Sequence, residues 1–321
     1  MIRRLVIGLF ALAAALFAAA SMYVASRQHL RFDAPYPRIA YATDSATIAR
    51  GRYIVRQVAD CGGCHVDPAQ RASYTRGEEV PLSGGFSWDI PPGTIYARNI
   101  TPDRETGIGV FGDSAVARAL RYGVGHDGRA LLPFMDKQNL SDEDVAAVVA
   151  YIGHQASVRH VVPAHRFSLL GMVVKATLLA SPVGPSGTPS SRSPRGATVE
   201  NGRYLVEAVA DCGGCHTRRD PRTGAVIGQP LAGTTDFAEK DSPGKLWSPP
   251  NITSGGRLAA LSEDRFVARF RAGRAIPGSP MPWQAFQKLE EDDLRAIYRY
   301  LMTVPKSMHD VGPPFVEKKT N

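Results

Sequence analysis

Two copies of one phrase carry whatever chemistry this chain performs: Val58-Ala59-Asp60-Cys61-Gly62-Gly63-Cys64-His65 and Val209-Ala210-Asp211-Cys212-Gly213-Gly214-Cys215-His216. Two thiols two residues apart, followed at once by an imidazole, form C-x-x-C-H, the spacing used to attach a c-type haem. The thiols add across two porphyrin vinyl groups, and the adjacent imidazole is carried beneath the iron as its proximal ligand. Cys61, Cys64 and His65 make one candidate attachment site, and Cys212, Cys215 and His216 a second, for two covalently bound haems c. Zinc and redox disulfides also use C-x-x-C, but zinc pairs lie about 15–20 residues apart, and these motifs are offset by 151 residues. Neither chemistry requires a histidine directly after the second cysteine.

The sixth ligand decides what such a haem does. An open face binds small molecules, whereas a methionine opposite the histidine fills the coordination sphere and raises the potential, as suits electron transfer. Met281, held in Pro280-Met281-Pro282, is the stronger distal candidate, and Met135, in Pro133-Phe134-Met135, occupies the corresponding place in the first copy. His126, in a Gly-flanked turn, is the main competitor there. Met172 and Met302 read as packing residues, since a lone methionine most often fills a core.

The elements that must position these residues are repeated too. Gly51-Arg52-Tyr53 is answered by Gly202-Arg203-Tyr204 at the same offset of 151 residues. Asp44 or Ser45 caps a helix leading into the first motif, and glycine inside it, recurring at Gly202, points to close approach of another helix. Asn99-Ile100-Thr101 recurs as Asn251-Ile252-Thr253 in a long Gly- and Pro-rich stretch, from Pro81 to Gly112 in the first copy. A loop of that length counts against a compact domain unless it wraps something apolar. Short helices follow, Ser114 to Tyr122 and Ser262 to Arg271, ended by Gly123 and Gly273. Each copy closes with an amphipathic helix. The first starts at Ser141, and Tyr151 and Tyr300 are the candidates to pack on Gly51 and Gly202.

The ends and the middle set the address. Arg3 and Arg4 precede an apolar run from Leu5 to Ala25, long enough to cross a bilayer. A cleaved signal is the alternative, but the run exceeds the usual h-region of about 7–15 residues. The formal charge of +8 is concentrated outside the repeats, with four basic and no acidic residues in 161–197. That distribution favours anionic lipid or a protein partner over nucleic acid. Phe167 to Ala180 is apolar but too short to span, and reads as packed on the domains, with shallow membrane contact as the alternative. The organisation expected is an anchor or signal over 1–26, a haem domain over 45–160, a connector and flexible linker over 161–197, a second haem domain over 198–305 and a poorly ordered tail over 306–321.

Gly93-Thr94-Ile95-Tyr96, Asn99-Ile100-Thr101-Pro102-Asp103, Glu105-Thr106-Gly107-Ile108-Gly109 and Arg118-Ala119-Leu120-Arg121-Tyr122-Gly123-Val124 lie between C-x-x-C-H and a Pro/Met loop. In these the chain resembles the multihaem cytochrome c subunits of membrane-bound alcohol and gluconate dehydrogenases, over roughly residues 45 to 305. The resemblance implies a mainly α fold of two tandem class I-type cytochrome c domains behind an N-terminal apolar helix. It implies His65 and His216 as proximal ligands and Met135 and Met281 as distal ligands. It also implies a periplasmic relay at the bacterial inner membrane, taking electrons from a flavin, quinone-cofactor or molybdenum dehydrogenase toward quinone or a terminal oxidase. The family pattern has three haem modules and a C-terminal anchor; this chain has two motifs and an N-terminal apolar segment. A second departure is the first ligand loop, where Met135 lies 16 residues before Tyr151 and Met281 lies 19 before Tyr300. A dihaem peroxidase is the enzymatic alternative, although a methionine stands available in both copies and no second active-site motif is present.

Overall fold

The computed structural model describes residues 1–318 apart from 222, 236, 239–241 and 243. It opens with α1 (Ile2–Ser26), none of whose side chains is buried. In the first repeat, α2 (Ser45–Tyr53) starts where the Asp44 carboxylate accepts the N–H groups of Ala46 and Thr47, each at 3.0 Å, as an N-cap should. A π-helical turn, Ile54–Val58, continues it, and α3 (Gly62–His65) carries the first motif. Then come α4 (Arg71–Thr75), the hairpin β1 (Ser87–Ile90) and β2 (Gly93–Tyr96), α5 (Asp113–Tyr122) and α6 (Asp142–His154). The connector contributes β3 (Arg166–Phe167), which pairs antiparallel with β2, and α7 (Leu169–Thr177). The second repeat runs α8 (Val199–Tyr204), a π-helical turn Leu205–Val209, α9 (Cys212–His216), β4 (Phe237–Ala238), β5 (Lys245–Trp247), α10 (Glu263–Arg271), α11 (Trp283–Phe286) and α12 (Glu291–Thr303). Last is β6 (Phe315–Glu317).

The repeated glycines do what their recurrence implied. A Cβ on Gly51 would lie 1.8 Å from the Ala147 carbonyl oxygen and 2.8 Å from Tyr151 Cβ; on Gly202 it would meet Ala296 O at 1.9 Å and Tyr300 Cβ at 2.7 Å. Thus α2 crosses α6, and α8 crosses α12, with backbone closely approaching backbone. Behind these crossings Ile54, Val55, Val58, Val145, Val148 and Val149 are buried in one repeat, and Leu205, Val206, Val209, Leu294 and Ile297 in the other. Gly51→Ala and Gly202→Ala are each expected to destabilise the protein by roughly 1–3 kcal/mol through overpacking. Gly153→Ala is the control: a Cβ there meets nothing within 4 Å, and better helix propensity contributes up to ~1 kcal/mol. Chemical denaturation of the three variants reads the difference.

The repeats are docked on each other by a reciprocal exchange. Tyr53 Oη donates to Asp293 Oδ2 (2.6 Å) and accepts the N–H of Glu290 (3.0 Å). In return, Tyr204 Oη donates to Asp144 Oδ2 (2.7 Å) and accepts the N–H of Ser141 (3.1 Å). Each tyrosine therefore caps the first turn of the other repeat's closing helix, where N–H groups have no intrahelical acceptor. Asp144, fully buried, is held in its own repeat by Arg50 (2.8 Å), and Asp293 by Asn201 Nδ2 (2.8 Å). Lys137 reaches across to Val209 O (2.7 Å) and Lys288 to Gly77 O (2.8 Å).

Burial, then the charge of the partner aspartate, holds the phenols of Tyr53 and Tyr204 well above their usual pKa. The unfolded chain, with tyrosines near 10, releases these protons first as pH rises. The stability they contribute is therefore complete below about pH 10 and lost above it. The thermal midpoint is expected to fall above pH 10, and to fall less steeply in a Tyr53→Phe/Tyr204→Phe double variant.

Three expectations are corrected. Residues 181–197 are a strap rather than a flexible linker. Ser190 O and Ser191 O accept the N–H groups of Asp142 (2.9 Å) and Glu143 (3.2 Å), and Ser193 Oγ meets Ser141 Oγ at 2.6 Å. The strap supplies acceptors that the start of α6 lacks. The tail is ordered as far as it is described, because β6 pairs antiparallel with β5 and buries Val311 nearby; residues 319–321 lie outside the described residues. The long loop after the first motif contains the β1–β2 hairpin, and among the described residues two three-stranded sheets accompany the helices.

Candidate haem-attachment sites

Each motif follows its π-helical turn through a sharp reversal. Asp60 (φ +48°) and Asp211 (φ +50°) both adopt the left-handed conformation, which aspartate tolerates better than most residues. Asp211 then accepts the N–H of Gly214 at 3.1 Å, tightening the turn between the two cysteines. The four cysteines form no disulfide. Burial pushes the Cys61 thiol up to about 11 and the Cys212 thiol up to about 12, so both are neutral at physiological pH. Among the described residues, no group of three or more His, Cys, Asp or Glu side chains is arranged to hold a metal ion.

The histidines are oriented identically. His65 Nδ1 lies 2.7 Å from Arg98 O, and His216 Nδ1 lies 2.8 Å from Pro250 O. A carbonyl only accepts, so Nδ1 carries the proton and Nε2 keeps its lone pair for a metal. Burial lowers both imidazole pKa values, which keeps that lone pair free of a proton at neutral pH.

The carbonyls themselves are held by the repeated Asn-Ile-Thr phrase. Asn99 Oδ1 accepts from Thr101 N (2.9 Å) and Thr101 Oγ1 (2.7 Å), while its Nδ2 donates to Val158 O (2.9 Å). Asn251 does the same with Thr253 N (3.0 Å), Thr253 Oγ1 (2.8 Å) and Ser307 O (2.8 Å). Arg98 and Pro250 immediately precede these asparagines, so each turn fixes the acceptor that orients a histidine. Sequence reading marks the phrase as a landmark without assigning this role. The signal was its recurrence with a buried amide.

Met135 and Met281 are both half-buried on the loops ahead of the closing helices. Met281 packs on the hydrophobic core, and its carbonyl accepts the N–H of Trp283 at 2.7 Å. Met135 O accepts from Gln138 Nε2 at 2.9 Å, and the preceding Phe134 stacks on Trp88 with ring centroids 5.2 Å apart. The three extra residues between Met281 and Tyr300 make room for α11, which buries Trp283, Ala285 and Phe286. No such helix forms between Met135 and α6. His126 is exposed and stacks on Phe111 at 3.9 Å. Met172 is half-buried, whereas Met302 is exposed rather than packed. His160 and His165 are half-buried, and burial lowers His165 to about 4.

The two sites differ behind the cysteines. In the first, Tyr74 of α4 covers Gly62, where a Cβ would lie 2.5 Å from its ring, and its hydroxyl bonds to Asp60. In the second, Gly213 lines an open cleft of about 700 Å³ with Arg203, Glu207 and Tyr300; neither His216 nor Met281 borders it. Near the Met281 loop, the buried Trp247 Nε1 has no hydrogen-bond partner among the described residues, and its ring lies 3.7 Å from where a Gly278 Cβ would be. A buried donor without an acceptor suits a group that brings its own carboxylate. Donor set, tautomers and orphaned indole together fit covalent haem.

The cytochrome c family model matches residues 199–305. The cytochrome c subunit of alcohol dehydrogenase (quinone) from Gluconobacter oxydans is 32% identical over 281 residues, 83% of this chain and 56% of that one. The gluconate 2-dehydrogenase cytochrome c subunit from Pantoea cypripedii is 32% identical over 281 residues, 81% of this chain and 60% of that one. A diheme cytochrome c-type protein from Cereibacter sphaeroides is 28% identical over 262 residues, covering 76% and 82%. The chain thus spans somewhat more than half the length of the two dehydrogenase subunits. With C-x-x-C-H histidines set in the same tautomer by the same Asn-Ile-Thr turn, this chain belongs to the cytochrome c family represented by the cytochrome c subunits of alcohol and gluconate dehydrogenases.

Proposed function

We propose that the chain is a two-haem electron relay serving a periplasmic dehydrogenase at the bacterial inner membrane, and that both repeats are cytochrome c domains. The observation that carries this reading is the identical presentation of His65 and His216, each with Nδ1 bonded to a backbone carbonyl. Cys61 and Cys64 hold one haem c by thioether bonds, and Cys212 and Cys215 the other. His65 and His216 are the proximal ligands, and Met135 and Met281 the distal ones. When bound, each haem supplies a one-electron couple whose potential the axial pair raises. Trp247 Nε1, a buried donor, would suit a porphyrin carboxylate of the second haem. With Met135 and Met281 as second ligands, neither haem would keep an open coordination site for substrate, which favours a relay over the peroxidase alternative.

The reciprocal tyrosine bonds and Lys137, donating to Val209 O beside the second motif, hold the motifs in one fixed relation. α1 serves as the anchor, 25 residues long and apolar. The donor is a dehydrogenase of the flavin, quinone-cofactor or molybdenum kind, and the acceptor is quinone or a terminal oxidase.

The test uses the protein purified from solubilised membranes with its accompanying dehydrogenase. In stopped flow, adding that enzyme's substrate should reduce the haems rapidly. Mixing the reduced protein with hydrogen peroxide should give slow, non-saturating oxidation. Fast, saturable peroxide turnover would overturn the relay in favour of a peroxidase.

A further inference from the structure

Helix α7 is apolar on the wrong side for a packed connector. Leu169, Leu170, Val173 and Leu178 are 45–79% exposed. At 100° per residue they fall on one face with Thr177, opposite the buried Gly171 and Ala176. The inner face is held tightly. A Cβ on Gly171 would lie 1.8 Å from Pro92 O, at the tip of the β1–β2 hairpin, and Ser168 caps the helix by accepting the N–H of Gly171 at 3.1 Å. The outer face is therefore fixed outward by contacts that leave it no freedom to turn in.

What lies beside that face identifies its occupant. α7 is bonded to the end of α1: Arg27 Nε donates to Ala176 O (2.8 Å), Gln28 Nε2 to Met172 O (3.0 Å) and Lys175 Nζ to Gln28 O (2.6 Å). At this end of α1 the Arg27 guanidinium sits 5.2 Å from the Tyr23 ring, a pairing suited to the boundary between lipid and water. α1 is roughly 37 Å long at 1.5 Å per residue, enough to cross a hydrocarbon core of about 30 Å. The segment 161–197 that contains α7 has four basic and no acidic residues, matching anionic headgroups.

We infer that α7 is an interfacial helix that lies in the headgroup layer of the bilayer crossed by α1, with Leu169, Leu170, Val173 and Leu178 immersed in lipid. This rests on the reading of α1 as a membrane anchor. With both helices engaged, the chain meets the membrane along a spanning and an in-plane element joined at a corner. The first repeat, through the hairpin tip that packs on α7, is then the membrane-proximal one, and the haem modules cannot swivel about a single tether.

The test reconstitutes the full chain in vesicles of phosphatidylcholine and phosphatidylglycerol with radiolabelled acyl chains, a benzophenone amino acid replacing one residue at a time. Position Leu12 reports on α1, Leu170 and Val173 on α7, and Val226, an exposed apolar residue of the second repeat, sets the background. After illumination, lipid captured at Leu170 and Val173 should approach that at Leu12 and exceed Val226 by about tenfold. Capture at Leu12 with background levels at Leu170 and Val173 would overturn the inference and leave the anchor standing. Capture at Leu170 and Val173 without Leu12 would uphold the interfacial helix and remove the anchor; background at all three would remove both. In native membranes, cross-linking of Leu170 or Val173 to a co-purifying protein in place of lipid would assign the face to a partner and overturn the inference.

Discussion

Cys61→Ser/Cys64→Ser is expected to carry one acid-resistant haem c per chain where the unaltered protein should carry two, and Cys212→Ser/Cys215→Ser the other one. Each motif is complete in itself, each histidine has its own carbonyl partner, and the turns holding those carbonyls draw on separate residues: Asn99 and Val158 in one, Asn251 and Ser307 in the other. Attachment at one site therefore does not require the other's ligands. Pyridine haemochrome assay after acid-acetone extraction reads the number directly. An unaltered protein with one haem, or with extractable haem, would remove the two-site reading. Retention of two covalent haems by either double variant would remove the assignment of those cysteines.

Exchanging the proposed sulfur ligand for nitrogen should produce the second large effect. Met281→His is expected to lower the potential of the second haem by a few tenths of a volt, within the ~0.8 V over which axial ligands set haem potentials. It should also erase that site's sulfur-to-iron charge-transfer band. Met281 is backed by core packing and by α11, so the exchange alters the donor atom more than the loop. Met135→Ala should shift the first potential instead. Its loop is held by Gln138 Nε2 on Met135 O and by Trp88 against Phe134, contacts that the alanine keeps. Spectroelectrochemical titration of each variant separates the two haems. Unchanged potentials in Met135→Ala would remove that residue from the ligand set and leave Met281 in place.

Much of this was legible in the chain because it is local. C-x-x-C-H declares its chemistry within five residues, Asp44 and Ser141 announce helix starts by capping groups two or three positions away, and Gly123 and Gly273 end helices through a positive φ that glycine adopts without strain. The duplication was equally plain, and the recurring Gly51 and Gly202 foretold the helix crossings. The strap, the ordered tail and the two small sheets were not legible. They depend on acceptors and edges supplied from far along the chain, such as Ser190 O for Asp142 N or β6 for β5. Composition rich in Pro, Gly and Ser describes an unpartnered segment, and tertiary structure supplied the partners. The same holds for the docking of the repeats. Tyr53 and Asp293 stand 240 positions apart, and no periodicity within either repeat reveals that each tyrosine completes the other's closing helix. Residue chemistry alone marked the two C-x-x-C-H motifs as candidate haem-attachment sites. Only folding decided which carbonyl fixes each histidine's proton, which methionine loop gains a supporting helix, and that the two motifs are held together as one unit, because those are contacts between elements that sequence order keeps apart.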